Sequence, residues 1–415
     1  MPRAPRTLFV APQLPWPLDV GSKIRTYNLL SAYAALGPVT LVCFALEAGD
    51  ETVARELSPL VEAAHLFPLE GKSGAMDRGK TGALAQALRR VPQSVRRFTS
   101  SALTRKIEQL LADEDFDFLH VERMFMADNL RATLRSPAAD GLVKVLDVDD
   151  IESLKALRLL RTEPAPPARR LWARLDQLKL RNFERAALRR FDLALVCSSA
   201  DRQLLAAVSR RAAVEVFCNG ADVTPADREA RADDARTLLF LGAMSYRPNS
   251  DAALYFAREI FPLVQREIPD ARFVVAGRSP PVELEALRSA HIEVRGFVAD
   301  KDAVLAASSA LVAPIRAGGG TRLKILEAMA ARLPVVSTTV GCEGIDVIPG
   351  RDLLVGDTAQ DFAAACVTVL RDRERHAALA AAGFELVSSR YRWSEIRRDF
   401  GTRLQARLRQ MEGTN

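Results

Sequence analysis

Four histidines and five cysteines are few for a chain of 415 residues, and neither set is spaced for metal chemistry. No HExxH, paired-histidine or CxxC pattern occurs, which argues against a zinc site and a transition-metal enzyme. Cys43, Cys197, Cys218, Cys342 and Cys366 are scattered and odd in number. They do not form a disulfide framework and read as small buried apolar groups or free thiols. No apolar run reaches the ~18–20 residues needed to span a bilayer. The basic start Met1-Pro2-Arg3-Ala4-Pro5-Arg6 passes directly into Thr7-Leu8-Phe9-Val10-Ala11. That run is too short for a signal-peptide core and suits a buried strand, so the chain is expected to act in the cytoplasm. Low-complexity tracts and short internal repeats are also absent, and residues 71–82 read as the mobile loop.

What is present is ordinary globular material, 48% apolar and 27% charged, in enough length for two or three domains. The net charge of +6 is local. Residues 151–190 hold eleven Lys and Arg against four acids, so the remainder sums to about −1. Within that stretch Arg169, Arg170, Arg174 and Lys179 flank Leu171, Trp172, Leu175 and Leu178. This makes an amphipathic helix suited either to solvent or to an anionic membrane surface through residues 159–190. Nothing indicates base readout, and no nucleic-acid partner is expected.

Short apolar runs alternate with longer amphipathic stretches. Strands are expected over 8–10, 39–44, 118–121, 143–146 and 193–197, with a helix over 24–36. After a linker at 221–236 the pattern restarts, with strands over 238–242, 273–276, 294–297, 310–313 and 335–337. Alternation of this kind predicts parallel sheets covered by helices on both faces. Two such sheets in succession place ligands at the strand carboxyl ends, in a cleft between the domains. Gly21, opening the first helix, is placed for the approach of an anion.

The most informative stretch is Ala317-Gly318-Gly319-Gly320-Thr321-Arg322-Leu323-Lys324, which follows a strand and leads into a helix. Glycines let successive N–H groups converge, and a helix N-terminus adds the positive end of its dipole. Arg322 and Lys324 in that first turn are unfavourable unless an anion sits there; a surface loop with solvated bases is the plain alternative. Glu327, in an otherwise apolar helix, needs a polar partner. Ribose hydroxyls would serve, and so would Lys324 or Arg332.

The stretch from Leu238 to Trp393 resembles the donor domain of glycosyltransferase family 4, in the GT-B fold. The motifs occur in order: Phe240-Leu241-Gly242, Pro248-Asn249, Gly296-Phe297-Val298-Ala299-Asp300, Leu326-Glu327-Ala328-Met329-Ala330, Pro334-Val335-Val336-Ser337 and Gly341-Cys342-Glu343-Gly344. The N-terminal half resembles the family through the loop at Gly21 and the Asn219-Gly220-Ala221-Asp222 junction. Similar forms accompany bacterial exopolysaccharide systems. The resemblance implies an α/β fold of two Rossmann-like domains facing across a cleft: 1–220 on the acceptor side, 237–392 on the donor side. A helix over 393–415 would cross back to pack on the first domain, giving a docking surface to the stripe Ile396, Phe400, Leu404 and Leu408.

The implied activity is retaining, metal-independent transfer of a sugar from a nucleotide-diphosphate donor, with no separate cofactor. The acceptor would be a glycan or a polyprenyl-lipid-linked sugar. Glu327 would bond the donor ribose, the Phe297-Val298 loop would hold the base, and Gly21 and Ser22 would face the diphosphate. His120 or Glu122, on one face of a strand, would lie near the donor sugar. Two departures stand out. The family's second glutamate, eight positions before Glu327, is Gly319 here. The cations it places after the first donor-domain glycine are missing from 242–249, apart from Arg247. Arg322 and Lys324 are expected to replace those cations, while the amides of Gly318, Gly319, Gly320 and Thr321 contact phosphate or sugar. The acidic run Asp147-Val148-Asp149-Asp150 is read as lining the acceptor side, in preference to a GT-A metal motif or a phosphatase nucleophile. The rival readings are a silent nucleotide-sugar-binding protein and a GT-B epimerase or hydrolase of the same donor.

Overall fold

The computed structural model describes residues 3–46, 50–69, 91–162, 166–209, 211–223 and 236–413. The loop expected over 71–82 and most of the 221–236 linker lie outside the described residues. Contacts divide the chain into two compact units, residues 1–217 joined by 397–415, and residues 218–396.

The first unit is a parallel sheet of β1 (Thr7–Ala11), β2 (Val39–Ala45), β3 (Ala63–Pro68), β4 (Phe118–Glu122), β5 (Val143–Asp149), β6 (Leu193–Val196) and β7 (Ala213–Val216). Its spatial order is β3-β2-β1-β4-β5-β6-β7. The register sets Phe9 opposite His120, and Glu122 opposite Asp147. The central strands are buried from end to end because helices cover both faces, which is why they read as unbroken apolar runs. The strands not expected from the sequence, β3, β7 and the later β13, lie at sheet edges with half-exposed side chains. Edge positions remove the apolar signal that marks the others.

Two helices of this unit matter below: α1 (Gly21–Ala34), expected over 24–36, and α2 (Pro167–Leu188). Leu171, Trp172, Leu175 and Leu178 on α2 are exposed, by 61% for Leu171. Among the described residues no helix is long and apolar enough to cross a membrane.

The second unit is a parallel sheet of β8 (Thr237–Leu241), β9 (Arg272–Ala276), β10 (Ile292–Gly296), β11 (Ala310–Ala313), β12 (Val335–Ser337) and β13 (Leu354–Val355). It runs β10-β9-β8-β11-β12-β13. That is the order of a dinucleotide-binding sheet, with its switch point between β8 and β11. Helices α3 (Arg247–Tyr255) and α4 (Leu323–Ala330) follow the two strands that flank the switch.

The last helix, α5 (Trp393–Glu412), passes from one unit to the other, and from residue 397 it counts with the first. Ile396, Phe400 and Leu404 of its apolar stripe are buried. Phe400 meets Tyr33 and Phe217 edge-on, with ring centres 5.8 and 5.0 Å away. Arg403 and Arg407 grip Glu215 at 2.6 and 2.7 Å. Burying side chains such as Phe400 and Leu404 stabilises the docking by about 1.5–3 kcal/mol each.

Candidate functional site

In the second unit the loops after β8, β9 and β10 are tied in series. The N–H of Gly242 donates to Ala276 O at 2.9 Å, and that of Gly277 to Gly296 O at 2.6 Å. A Cβ on Gly277 would lie 1.8 Å from Gly242 O, so only glycine permits this crossing. Gly242 is constrained less severely: a Cβ there would lie 2.7 Å from the Lys324 ammonium and 2.8 Å from Asn249 Nδ2, the ends of side chains that can shift.

Lys324 thus runs from the first turn of α4 to the underside of the β8 loop. Its Nζ donates to Asn249 Oδ1 at 2.8 Å and sits 4.2 Å from the centre of the Phe240 ring. Asn249 is held in turn by donating to Ala243 O. Burial of the ammonium, with Arg322 nearby and Glu327 only partly offsetting, lowers its proton affinity from 10.5 to about 7. The amine is therefore poised to lose its charge unless an anion stands beside it.

Arg322 caps α4 but offers its first turn no side-chain acceptor. The guanidinium folds back, and Nη1 donates to the carbonyls of Gly319 and Gly320. Nη2 is buried without a protein partner, as is the hydroxyl of Thr321. A Cβ on Gly318 would approach Nη2 to 3.1 Å and the Tyr246 hydroxyl to 3.4 Å. Gly318 and Gly320 adopt φ of +131° and +66°, which side chains resist. Arg322 therefore has a single terminal nitrogen to offer a phosphate. One terminal nitrogen is spent on the loop's own carbonyls, and the other is left to a ligand.

Glu327 has a partner that the sequence did not suggest. Lys301 donates to its Oε1 at 2.7 Å, in place of Lys324 or Arg332; Arg332 instead lies 3.6 Å over the Phe384 ring. Phe297 stands 57% exposed with the Arg278 guanidinium 4.5 Å from its ring centre. Val298 packs half-buried on the core beneath it. Arg247 is exposed at the start of α3. The site residues on this unit therefore share one edge of the sheet, the carboxyl ends of β8 to β11. Lys301, Tyr246 and Arg278 join them. Only Arg278, directly after a strand-ending glycine, carried a positional hint.

The first unit places its candidates differently. Gly21 is exposed at the head of α1, and Ser22 Oγ accepts from Gln13 Nε2 at 3.2 Å. His120 is wholly buried, stacked on Phe9 at 4.3 Å, with Nδ1 3.1 Å from the Tyr33 hydroxyl. Burial, with the charge of Arg25, pulls the imidazole down to about 3, so it stays neutral. This corrects the expectation for His120: a ring locked between Phe9 and Tyr33 is a core group with no access to a sugar.

Glu122, at the strand's carboxyl end, is also buried. Its Oε1 lies 2.5 Å from Thr26 Oγ1, which itself donates to Ser22 O at 2.8 Å. A hydroxyl has one proton to give. Thr26 can therefore serve Ser22 O or Glu122 Oε1, not both at once. Burial raises the Glu122 carboxyl from 4.5 to about 8, against the opposing pull of Arg123 and of the Thr26 hydroxyl that donates to it; Asp147 and Asp149 push further upward.

Those two aspartates are occupied. Arg25 pairs with Asp147 through both carboxylate oxygens at 2.6 and 2.8 Å and donates to Phe217 O. Arg123 holds Asp149 at 2.5 Å, and the Cys197 thiol donates to Asp149 at 2.8 Å. Arg123 and Asp149 sit at φ of +66° and +54°, strain that the ion pair between them sustains. Asp147 and Asp149 are thus charge-compensated by arginines, and Asp150 by Lys155 at 3.3 Å.

Two doubly wound parallel sheets in one chain, with an anion-receptive loop at the second switch point, define the GT-B class of fold. The comparisons agree. Residues 235–372 match the family model described as glycosyl transferases group 1. A sucrose-phosphate synthase from Thermosynechococcus elongatus superposes with a TM-score of 0.69 at 18% identity, covering 99% of this chain and 100% of that one. Anabaena HepE in complex with UDP and glucose gives 0.66 at 16% identity, over 97% and 100%. S. aureus TarM, as a mutant in complex with fondaparinux, α-GlcNAc-glycerol and UDP, gives 0.67 at 11%, over 97% and 99%. In sequence, the chain is 24% identical over 163 residues to an uncharacterised 44.6 kDa protein in the cps region of Klebsiella pneumoniae. That alignment takes in 37% of this chain and 42% of the relative, so the chain spans less than half the length of the curated relative it matches. Together these support a glycosyltransferase with a group 1 domain in its second unit.

The state of Glu122 has a measurable consequence. A carboxyl whose affinity is raised on folding contributes stability that is present in full below about 4.5 and lost as pH rises towards about 8. Glu122→Gln, whose amide donates to Thr26 at any pH, should lack this loss when urea denaturation is compared from about pH 5 to 8. Parallel profiles for the two proteins would mean that Glu122 is ionised in the folded chain.

Proposed function

We propose that this chain is a retaining, metal-independent family 4 glycosyltransferase. It would move a sugar from a nucleotide-diphosphate donor to a glycan or polyprenyl-lipid-linked acceptor in polysaccharide synthesis. One observation carries the reading: in the first turn of α4 Arg322 Nη2 and Thr321 Oγ1 are buried with no hydrogen-bond partner among the described residues, and the buried Lys324 ammonium is only partly offset by Glu327. A diphosphate supplies the missing charge and the missing acceptors. As it departs, fixed cations and backbone dipoles stabilise its growing charge without reorganising. Arg322 supplies a directed N–H and Lys324 a point charge. Its own oxygen takes the acceptor's proton, so a carboxylate at position 319 is not required.

The other groups take substrate-binding roles in the same reading. Lys301 orients Glu327, leaving its second oxygen for the ribose, and the nucleobase lies against Phe297 and Arg278. Gly21 and Ser22 belong with the diphosphate, and Arg247 is a further phosphate contact. Metal independence draws support from the pairing of Asp147 and Asp149 with arginines, which leaves no open carboxylate pair there. UDP, held by the structural neighbours HepE and TarM, is the first nucleotide to try, and the cps-region relative favours a polysaccharide acceptor. Donor turnover with a lipid-linked acceptor separates the transferase from a silent binder.

Attachment to the inner face of the cytoplasmic membrane is part of the proposal. The exposed Leu171, Trp172, Leu175 and Leu178, with Arg170 and Arg174 exposed beside them, offer apolar insertion and headgroup attraction on one helix.

Three outcomes are expected. Arg322→Ala should weaken UDP binding in isothermal titration by about tenfold or more, the worth of a charge-assisted hydrogen bond; unchanged affinity would remove the phosphate assignment. UDP affinity should also fall as pH rises above about 7, where free Lys324 sheds the proton that the bound diphosphate needs, by at most about tenfold per pH unit. Lys324→Arg, charged throughout, should lose that slope, and a slope identical to wild type would place the linked proton elsewhere. Replacing Leu171 and Trp172 by Ser should lower co-sedimentation with phosphatidylglycerol vesicles about tenfold. Full retention would count against membrane docking through α2.

A further inference from the structure

The opposite edge of the first sheet holds a second concentration of positive charge. A cavity of about 360 Å³ opens there, walled by Arg135, Lys144, Arg189, Arg190 and Arg211 with two apolar side chains. Lys144 is the second residue of β5 and Asp149 the last, so the cavity lies about 16 Å along the strand from the charged cluster at the carboxyl end.

Few acids answer these bases. Asp192 already accepts from the backbone N–H of Lys144 at 2.9 Å and faces Arg211 at 3.6 Å. Asp128 is the carboxylate that acts on Arg190, and against it stand Arg135 and Arg131. Arg135, Lys144, Arg189 and Arg190 have no ion pair among the described residues. Arg190 shows the strain of this arrangement. Partial burial, then the repulsion of Arg135 and Arg131, lowers its proton affinity. Position at the end of α2 explains why Arg189 and Arg190 are tolerated, since cations suit a helix C-terminus. It does not explain Arg135 or Lys144, which come from other elements.

We propose that this cavity is a phosphate-recognition site, separate from the donor loop, that takes a phosphomonoester or diphosphate group. Converging guanidinium forks match phosphate oxygens in geometry as well as charge. At about 360 Å³ the space admits a phosphate that carries a substituent or a second phosphate. The walls hold no aromatic side chain on which a base could stack. Two sources share this chemistry, a soluble phosphorylated metabolite and a phospholipid headgroup. Arg189 lies eighteen residues, or five turns, beyond Leu171 on the same side of the α-helical path. A headgroup seated here would therefore line up with the exposed apolar face of α2.

The probe is inorganic pyrophosphate, titrated calorimetrically into the full chain. Arg322→Ala, which weakens the donor loop's own diphosphate contact, should still bind it, and adding Arg190→Gln or the exposed Arg135→Gln to that variant should weaken binding about tenfold. Arg135→Gln alters a surface side chain and guards against a folding artefact. Displacement of pyrophosphate by vesicles containing phosphatidic acid, whose headgroup is a phosphomonoester, assigns the site to a lipid headgroup, and its persistence assigns it to a soluble phosphate. Absence of binding, or binding that depends on Arg322 and ignores Arg190 and Arg135, overturns the proposal. UDP titrations on the same variants report the donor site separately, so either reading can fail without the other.

Discussion

The order of strands in each parallel sheet is the constraint from which the sites follow. A parallel sheet buried on both faces offers substrates only the ends of its strands. Where the order reverses direction, two neighbouring loops leave on opposite sides and open a crevice. In the second unit this happens between β8 and β11, and the loops that leave there are Gly242–Pro248 and Pro314–Arg322. Three tight features meet those loops: the 1.8 Å approach of Gly277 to Gly242 O, the positive φ of Gly318 and Gly320, and the Lys324 ammonium threaded beneath Gly242. The first unit reverses between β1 and β4, and its buried charges gather at the same kind of place.

The two edges use charge in opposite ways. In the first unit Arg25 and Arg123 are matched against Asp147 and Asp149, while Glu122 escapes a third negative charge by keeping its proton. A buried cluster balanced in this way needs no ligand and holds α1 on the sheet; removing one partner would leave a buried charge unpaired. In the second unit Arg322 and Lys324 have no ion pair among the described residues, and Glu327, engaged by Lys301, only partly offsets the Lys324 charge. That imbalance leaves the site dependent on something brought to it.

The sequence showed most of the fold, because nine of the ten strands expected from it are apolar runs in sheet interiors; the tenth, β10, lies at an edge. It missed β3, β7 and β13, where one side of the strand faces no neighbour and the run dissolves into ordinary half-exposed residues. The site was legible where its parts are local, as in the glycine loop and the first turn of α4. It was illegible where partners come from afar. Lys301 is 26 residues from Glu327, and Arg25 is 122 from Asp147; neither spacing has a periodicity that could announce it. His120 shows the reverse error. Strand alternation correctly put it on the face of Glu122, but alternation says nothing about depth, and two residues along the strand separate a core ring from a group at the edge.

Gly319 is where the chain departs from the family pattern, and the structure gives the departure a physical meaning. A carboxylate at 319 would stand next to Arg322 and compete for its guanidinium. Without it, Arg322 turns its Nη1 onto the carbonyls of Gly319 and Gly320 and pins the loop from within. Gly318 and Gly320 supply the backbone conformations that bring those carbonyls round. Lys324, meanwhile, reaches the place under Gly242 where the stretch 242–249 carries no cation of its own apart from the exposed Arg247. Loss of the acid and relocation of the bases are therefore one change. Under the proposed function, the loop exchanges a side chain that would touch the sugar for an arrangement that concentrates positive charge where the diphosphate would bind.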